Sequence, residues 1–339
     1  MCIMAENENF RLSVRNLNIG FTNGRQVTNV VDGVSFDVLP GEILSLVGES
    51  GCGKSASCLA VGRLLNANAV TSSDGILFYH KGKLLDLSKL SNRDIRKVRG
   101  CAIAYIFQEP SASLNPVFRV GDQIAEVIRL HRPEVTDIRK ECIELLKQVG
   151  IPGPESRVDA YPHEMSGGMQ QRVMIAIALA GNPELLIADE PTTALDVTIQ
   201  SQILELLDKL RKARNMSVIL VTHNLGIVSN VADKVAVMYA GRVVEYGSVR
   251  EVIDSPQHPY TEALLRAVPS LGRKQGRLPT IPGSVASPED FPAGCRFCDR
   301  CEAAAKLSEE EKRLCREAVP ECSVSDTGRR LFCHYRKLQ

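Results

Sequence analysis

Residues 48–55 read Gly48-Glu49-Ser50-Gly51-Cys52-Gly53-Lys54-Ser55, three glycines closing on a lysine and a hydroxyl. Glycines at 48, 51 and 53 let the chain curl until successive amides point inward, and a helix starting at the same place adds its positive end, so the segment can cradle phosphate oxygens. Lys54 is then placed for the β and γ phosphates of a nucleotide, and the Ser55 hydroxyl for Mg2+, a hard cation that takes oxygen ligands. An apolar run at 43–47 and a helical run at 56–65 flank the loop, which is the strand, loop and helix context the motif requires. Cys52 reads as a small filler rather than a reactive thiol, since nothing else in the motif calls for sulfur.

A second set of groups sits at the ends of other apolar runs. Leu185-Leu186-Ile187-Ala188-Asp189-Glu190 ends in two adjacent carboxylates. Alternate side chains of a strand point to opposite faces, so the two acids are free to do different work. Asp189 suits the shell of a magnesium ion, and Glu190, just past the strand end, suits the polarisation of an attacking water as general base in phosphoryl transfer. His223 follows the apolar run 217–222, a position from which an imidazole can reach a γ phosphate and sense its loss. The expectation is hydrolysis of ATP, not binding alone.

These groups need a scaffold. Strand-like runs at 11–19, 34–38, 42–47, 103–107, 185–189, 217–222 and 234–239 alternate with helical stretches, which predicts an α/β domain. Residues 121–180 read as helical in three pieces, punctuated by Pro152, Pro154, Pro162 and the Gly167, Gly168 pair, and predict a helical subdomain of about 110–180 inserted into the sheet. Prolines become frequent after Ser255, which places a boundary there: one domain over 1–255 and an extension over 256–339.

With 339 residues, 44% of them apolar, the chain can bury a large core. Its 41 basic and 40 acidic side chains leave no global field that would favour nucleic acid or anionic lipid. The first ten residues lack the apolar stretch of a secretory signal, and the longest apolar run, 173–180, is far shorter than the roughly 20 residues that span a bilayer. The expectation is a cytosolic chain, with any membrane-spanning helices supplied by other subunits.

Ser166-Gly167-Gly168-Met169-Gln170-Gln171-Arg172 resembles the signature segment of the ATP-binding subunits of ATP-binding-cassette (ABC) transporters. The resemblance spans residues 11–255 and implies a P-loop NTPase, RecA-like core with an antiparallel β subdomain and a helical subdomain, followed by a small Cys-rich C-terminal extension. It also implies roles: Ser166, Gly167 and Gly168 cap the ATP held by a partner cassette, Phe21 stacks on adenine, Gln108 touches Mg2+ and water, and Asp196 crosses the dimer interface. Two departures, Met165 before the serine and Met169 where many cassettes have glutamine, leave the glycine amides in place. The stretch 163–175, Gln108-Glu109-Pro110 and Ser113-Leu114-Asn115-Pro116 are similar to the oligopeptide and dipeptide importer branch. The implied assembly has two membrane-spanning permease subunits, a second ABC ATPase subunit and, indirectly, an extracytoplasmic substrate-binding protein, with this chain peripheral on the cytoplasmic face of the inner membrane. The alternatives are a soluble ATPase of the same superfamily acting on DNA or ribosomes, and an importer of another cargo such as nickel; the coiled-coil insert, fused second cassette or basic arm of the soluble type is not seen.

His258-Pro259-Tyr260-Thr261 and Ile281-Pro282-Gly283 are similar to the extension of peptide-importer ATPases. There Cys295, Cys301, Cys315 and Cys333 resemble four cysteines that in some relatives hold a [4Fe-4S] cluster; zinc would use the same ligands. Cys298 and Cys322 are additional, and Cys295-x-x-Cys298-x-x-Cys301 offers three ligands by itself. A nucleic-acid-binding zinc module is opposed by the balanced charge.

Overall fold

The computed structural model describes residues 9–24, 26–193, 195–267 and 280–338. Cys2, Ala194 and the prolines at 269 and 279 lie outside the described residues. The chain forms two compact units, one of residues up to 38 with 43–78 and 222 onward, the other of 39–42 and 79–221.

In the first unit, strand Leu12–Thr22 pairs antiparallel with Val27–Val38 on one edge and with Ala69–Ser72 and Gly75–His80 on the other. Alternation drives it: Leu12, Val14, Leu17 and Ile19 are buried on one strand, Val34, Phe36 and Val38 on its neighbour. This is the expected antiparallel subdomain, larger than the sequence indicated, since the strands after residue 68 are only four and six residues long. Beside it, Ile43–Val47 runs parallel to Lys234–Tyr239, both mostly apolar and buried along nearly their whole length, as suits strands covered on two faces. The sheet continues through antiparallel Arg242–Ser248 to Arg330–Phe332 and Cys322–Val324. The C-terminal extension therefore adds two strands to the sheet that carries the phosphate loop.

The core of this unit under the extension is aromatic: Tyr239, Tyr260 and Phe297 meet edge-on or tilted at 4.7–5.2 Å between ring centres. His258 beside them is fully buried, and its Nδ1 accepts a hydrogen bond from the Tyr260 amide at 3.1 Å, which requires the neutral ring. Burial, reinforced by the Arg336 guanidinium, pushes its pKa down to about 3. An unfolded chain takes up this proton near pH 6.5 and the folded one does not, so stability is held above that pH and falls below it, by roughly 1.4 kcal/mol per pH unit. We expect the thermal midpoint to drop between pH 7 and pH 5, and the drop to shrink in His258→Asn; an unchanged drop would mean that other groups set the acid lability.

In the second unit, strands Ile103–Ile106, Leu185–Asp189 and Ser217–Thr222 pair in parallel. Helices Val120–His131, Ile138–Gln148 and Gly167–Ala180 pack on one another through Ile124, Ile128, Leu145, Leu146, Val173 and Leu179. Residues 121–180 are helical as expected, but the break at 132–137 between the first two of these helices is not among the punctuation points read from the sequence, and a short helix Pro154–Arg157 is added. Asp137 and Ser166 cap two of them, each side chain accepting from the amide three residues on.

Candidate functional site

The first unit holds the phosphate loop. Strand Ile43–Val47 delivers it, and helix Lys54–Val61 leaves it with Gly53 as N-cap at φ 94°, a conformation that any Cβ strains. At Gly48 a Cβ would lie 2.1 Å from the carbonyl oxygen of Met238, so only glycine lets the loop lie against its neighbouring strand. Lys54 is buried, and its Nζ donates to the carbonyls of Gly48 at 2.8 Å and Glu49 at 2.9 Å. Burial outweighs the pull of Lys54 and raises the Cys52 thiol pKa, which fits a packing residue and not a nucleophile. Ser55 and Phe21 are half-buried, Ser50 and Gly51 exposed. His223, in the same unit, is exposed directly after its strand.

The second unit holds the carboxylates. Leu185 to Ala188 are buried and Asp189 emerges half-buried at the strand end. Glu190 then turns the chain at φ 46°, a left-handed conformation costing about 1–2 kcal/mol in a residue with a Cβ. Its amide donates to the Val221 carbonyl at 3.0 Å, which locks the turn. Its carboxylate accepts from Gln108 Nε2 at 3.2 Å and from Thr193 Oγ1 at 2.9 Å. The predicted pair Gln108 and Glu190 is thus brought together. Thr193 was not singled out from sequence; the signal available was its place three residues after Glu190 in the turn that follows the strand.

Ser166 caps its helix and is exposed, as is Gly167. A Cβ on Gly167 would touch nothing within 4 Å, so this chain's own packing does not ask for glycine there. Asp196 caps helix Val197–Arg214, accepting from the Ile199 amide at 2.9 Å. Phe107, next to Gln108 in sequence, and Val117 and Phe118, nine and ten residues after it, are exposed large apolar side chains.

In the extension, Cys295, Cys298, Cys301, Cys315 and Cys333 line one small cavity of about 20 Å³. The Cys295 amide donates to the Cys315 carbonyl at 2.7 Å, tying the Cys-rich loop to helix Glu309–Glu317. Burial and the neighbouring thiols push Cys295 up to about 12, while burial and then Asp299 push Cys298 up to about 11; burial also raises Cys301, Cys315 and Cys333. Cys322 lies on strand Cys322–Val324 and faces a different, larger cavity. Of the two additional cysteines, Cys298 shares the cavity of the four and Cys322 does not. Among the described residues no three His, Cys, Asp or Glu side chains are drawn together as tightly as a metal ion needs.

A family profile described as ABC transporter matches residues 31–193, and one described as oligopeptide/dipeptide transporter, C-terminal region, matches 244–306. A peptide import ATP-binding protein of Brucella abortus is 51% identical over 294 residues, 86% of this chain and 87% of that one. The dipeptide transport ATP-binding protein DppD of Escherichia coli K12 is 44% identical over 325 residues, 96% of each. Among solved structures, a dimeric ATP-binding cassette in a post-hydrolysis state with ADP and Pi matches with a TM-score of 0.61 at 26% identity, over 70% of this chain and 99% of that one. A subunit of a Clostridium perfringens ABC transporter complex matches with a TM-score of 0.58 at 30% identity, over 73% and 92%.

Proposed function

Because the chain belongs to the ATP-binding-cassette transporter family, we propose that it is the ATP-hydrolysing subunit that powers import of di- or oligopeptides through partner permease subunits. The observation that carries this reading is the pairing, in one chain, of the cassette with the oligopeptide/dipeptide C-terminal region. The cassette spans 1–255 in this reading and the extension 256–339.

The chemistry divides among the residues. The amides of residues 48–55 and the Lys54 ammonium hold the phosphates, and Phe21 stacks on the base. Ser55, Gln108 and Asp189 would hold Mg2+, which would supply charge neutralisation at the phosphate oxygens. Glu190 takes a proton from the attacking water, and the bonds from Gln108 and Thr193 fix its carboxylate in one orientation before ATP arrives. His223 contacts the γ phosphate. Ser166, Gly167 and Gly168 close over the ATP of a second cassette, with Asp196 at the seam; a helix-opening glycine costs stability that nothing within this chain recovers, and a partner's phosphate supplies the reason for it. ATP then acts as a ligand that closes two cassettes, and hydrolysis reopens them.

The exposed apolar side chains of Phe107, Val117 and Phe118 give the permease subunits a place to dock at the cytoplasmic face of the inner membrane. No helix among the described residues is long and apolar enough to cross a membrane. An extracytoplasmic binding protein would deliver cargo to the permeases. Cys295, Cys301, Cys315 and Cys333, with Cys298 and Cys322 as alternatives, are the thiols that would hold a [4Fe-4S] cluster, which takes four thiolates. Anaerobically purified chain should then carry iron and acid-labile sulfide in equal amounts; zinc alone would replace the cluster.

Thr193→Val should lower kcat for ATP about tenfold at an unchanged KM, the loss of one hydroxyl bond to a carboxylate that acts in the chemical step. A rise in KM with kcat intact would assign Thr193 to nucleotide binding. The transport reading is tested by pull-down of the tagged chain from detergent-solubilised membranes. Polytopic membrane proteins together with a second cassette are expected; ribosomal or DNA-bound partners alone would overturn it.

A further inference from the structure

Glu49, second residue of the phosphate loop, is held at three of its groups. Its carboxylate accepts two bonds from Arg300, at 2.7 and 3.1 Å, in the planar fork that a guanidinium offers a carboxylate. Its amide donates to the Tyr260 hydroxyl at 2.9 Å, and its carbonyl accepts from Lys54 Nζ at 2.9 Å. Two of these three anchors come from the extension. Arg300 is itself fixed: its side chain is 8% exposed, its Nε donates to the Pro282 carbonyl at 2.8 Å, and it also donates to the Tyr239 hydroxyl at 3.2 Å. It sits between Cys298 and Cys301, where the loop is tied to helix Glu309–Glu317.

We infer that Arg300 is a positioning residue for ATP binding: it holds Glu49, and through Glu49 the carbonyl on which Lys54 rests, and it neutralises a carboxylate that would otherwise stand beside the bound triphosphate. The inference rests on reading residues 48–55 as the ATP site. Taking a charge pair even partly out of water gives little net stability, so a half-buried fork of this kind is better explained by what it orients than by what it adds to folding. The charge argument is the sharper one. With Arg300 gone, the Glu49 carboxylate loses its counter-charge within the loop that holds the phosphates, and like charges at short range raise the cost of binding ATP. A purely structural role would make no such distinction.

The experiment titrates the full-length chain with a fluorescent ATP analogue in the presence of Mg2+ and measures KM and kcat for ATP alongside. Arg300→Met is expected to weaken binding about tenfold with kcat at saturating ATP within about twofold. The double variant Arg300→Met with Glu49→Gln should recover most of that loss, because the uncompensated charge is removed. Arg300→Lys, which keeps the charge but not the fork, should lose about threefold and covers the case in which the methionine variant does not fold, judged by how many tail thiols react under native conditions. Wild-type affinity in both Arg300 variants would overturn the inference, as would a double variant no better than Arg300→Met. Failure of the wild-type chain itself to bind the analogue would overturn the ATP-site reading and this inference with it.

Discussion

Glu190→Gln is expected to abolish ATP turnover, by a factor of about 100 to 10,000, while leaving ATP binding near its wild-type strength. The amide matches the carboxylate in shape and still accepts from Gln108 Nε2 and Thr193 Oγ1 through its oxygen, so the bonds that orient residue 190 survive. What it cannot do is take a proton from water. The left-handed backbone at 190 is equally open to glutamine, so the strand end keeps its geometry. Single-turnover hydrolysis measured beside equilibrium ATP binding separates the two effects. Turnover like wild type would remove Glu190 as the base.

Lys54→Ala should act on the other half of the cycle, weakening MgATP binding roughly 30- to 100-fold, the size of a lost charge-assisted contact to phosphate. The buried ammonium already donates to two loop carbonyls, so in this structure it is preset at the loop and not swung in from solvent. Removing it costs both the contact and the order of the carbonyls. Unchanged affinity in the alanine variant would count against the phosphate-loop assignment.

What could be read from the sequence was whatever is local in it. The phosphate loop lies within eight consecutive residues flanked by its own strand and helix, and the acidic pair lies at the end of an apolar run, so both were legible. The helical character of 121–180 and the start of Gly167–Ala180 were legible from the proline and glycine punctuation, while the break between Val120–His131 and Ile138–Gln148 was not. Thr193, Tyr260 and Arg300 were not legible, because each matters through one contact whose partner the sequence does not name. Strands Cys322–Val324 and Arg330–Phe332 are three residues each, too short for any alternation to register; Arg330–Phe332 pairs with the edge of Arg242–Ser248, and Cys322–Val324 with the outer edge of Arg330–Phe332. The six tail cysteines announced a common purpose by crowding, yet only folding separates Cys322 from the five that share a cavity.

The bond from Arg300 to Glu49 joins residues 251 apart in sequence. A ribosome adding about 5–20 residues per second needs roughly 10–50 s between making the loop and making its clamp. For most of that interval the nascent loop has its glycines, its lysine and its leading strand, but not Lys234–Tyr239 beside it, and to the end of it the loop lacks the arginine. The nucleotide site is therefore among the first parts of this protein to be written and among the last to be finished, and a chain whose synthesis stops short of residue 300 carries the whole phosphate motif without the means to hold it in shape.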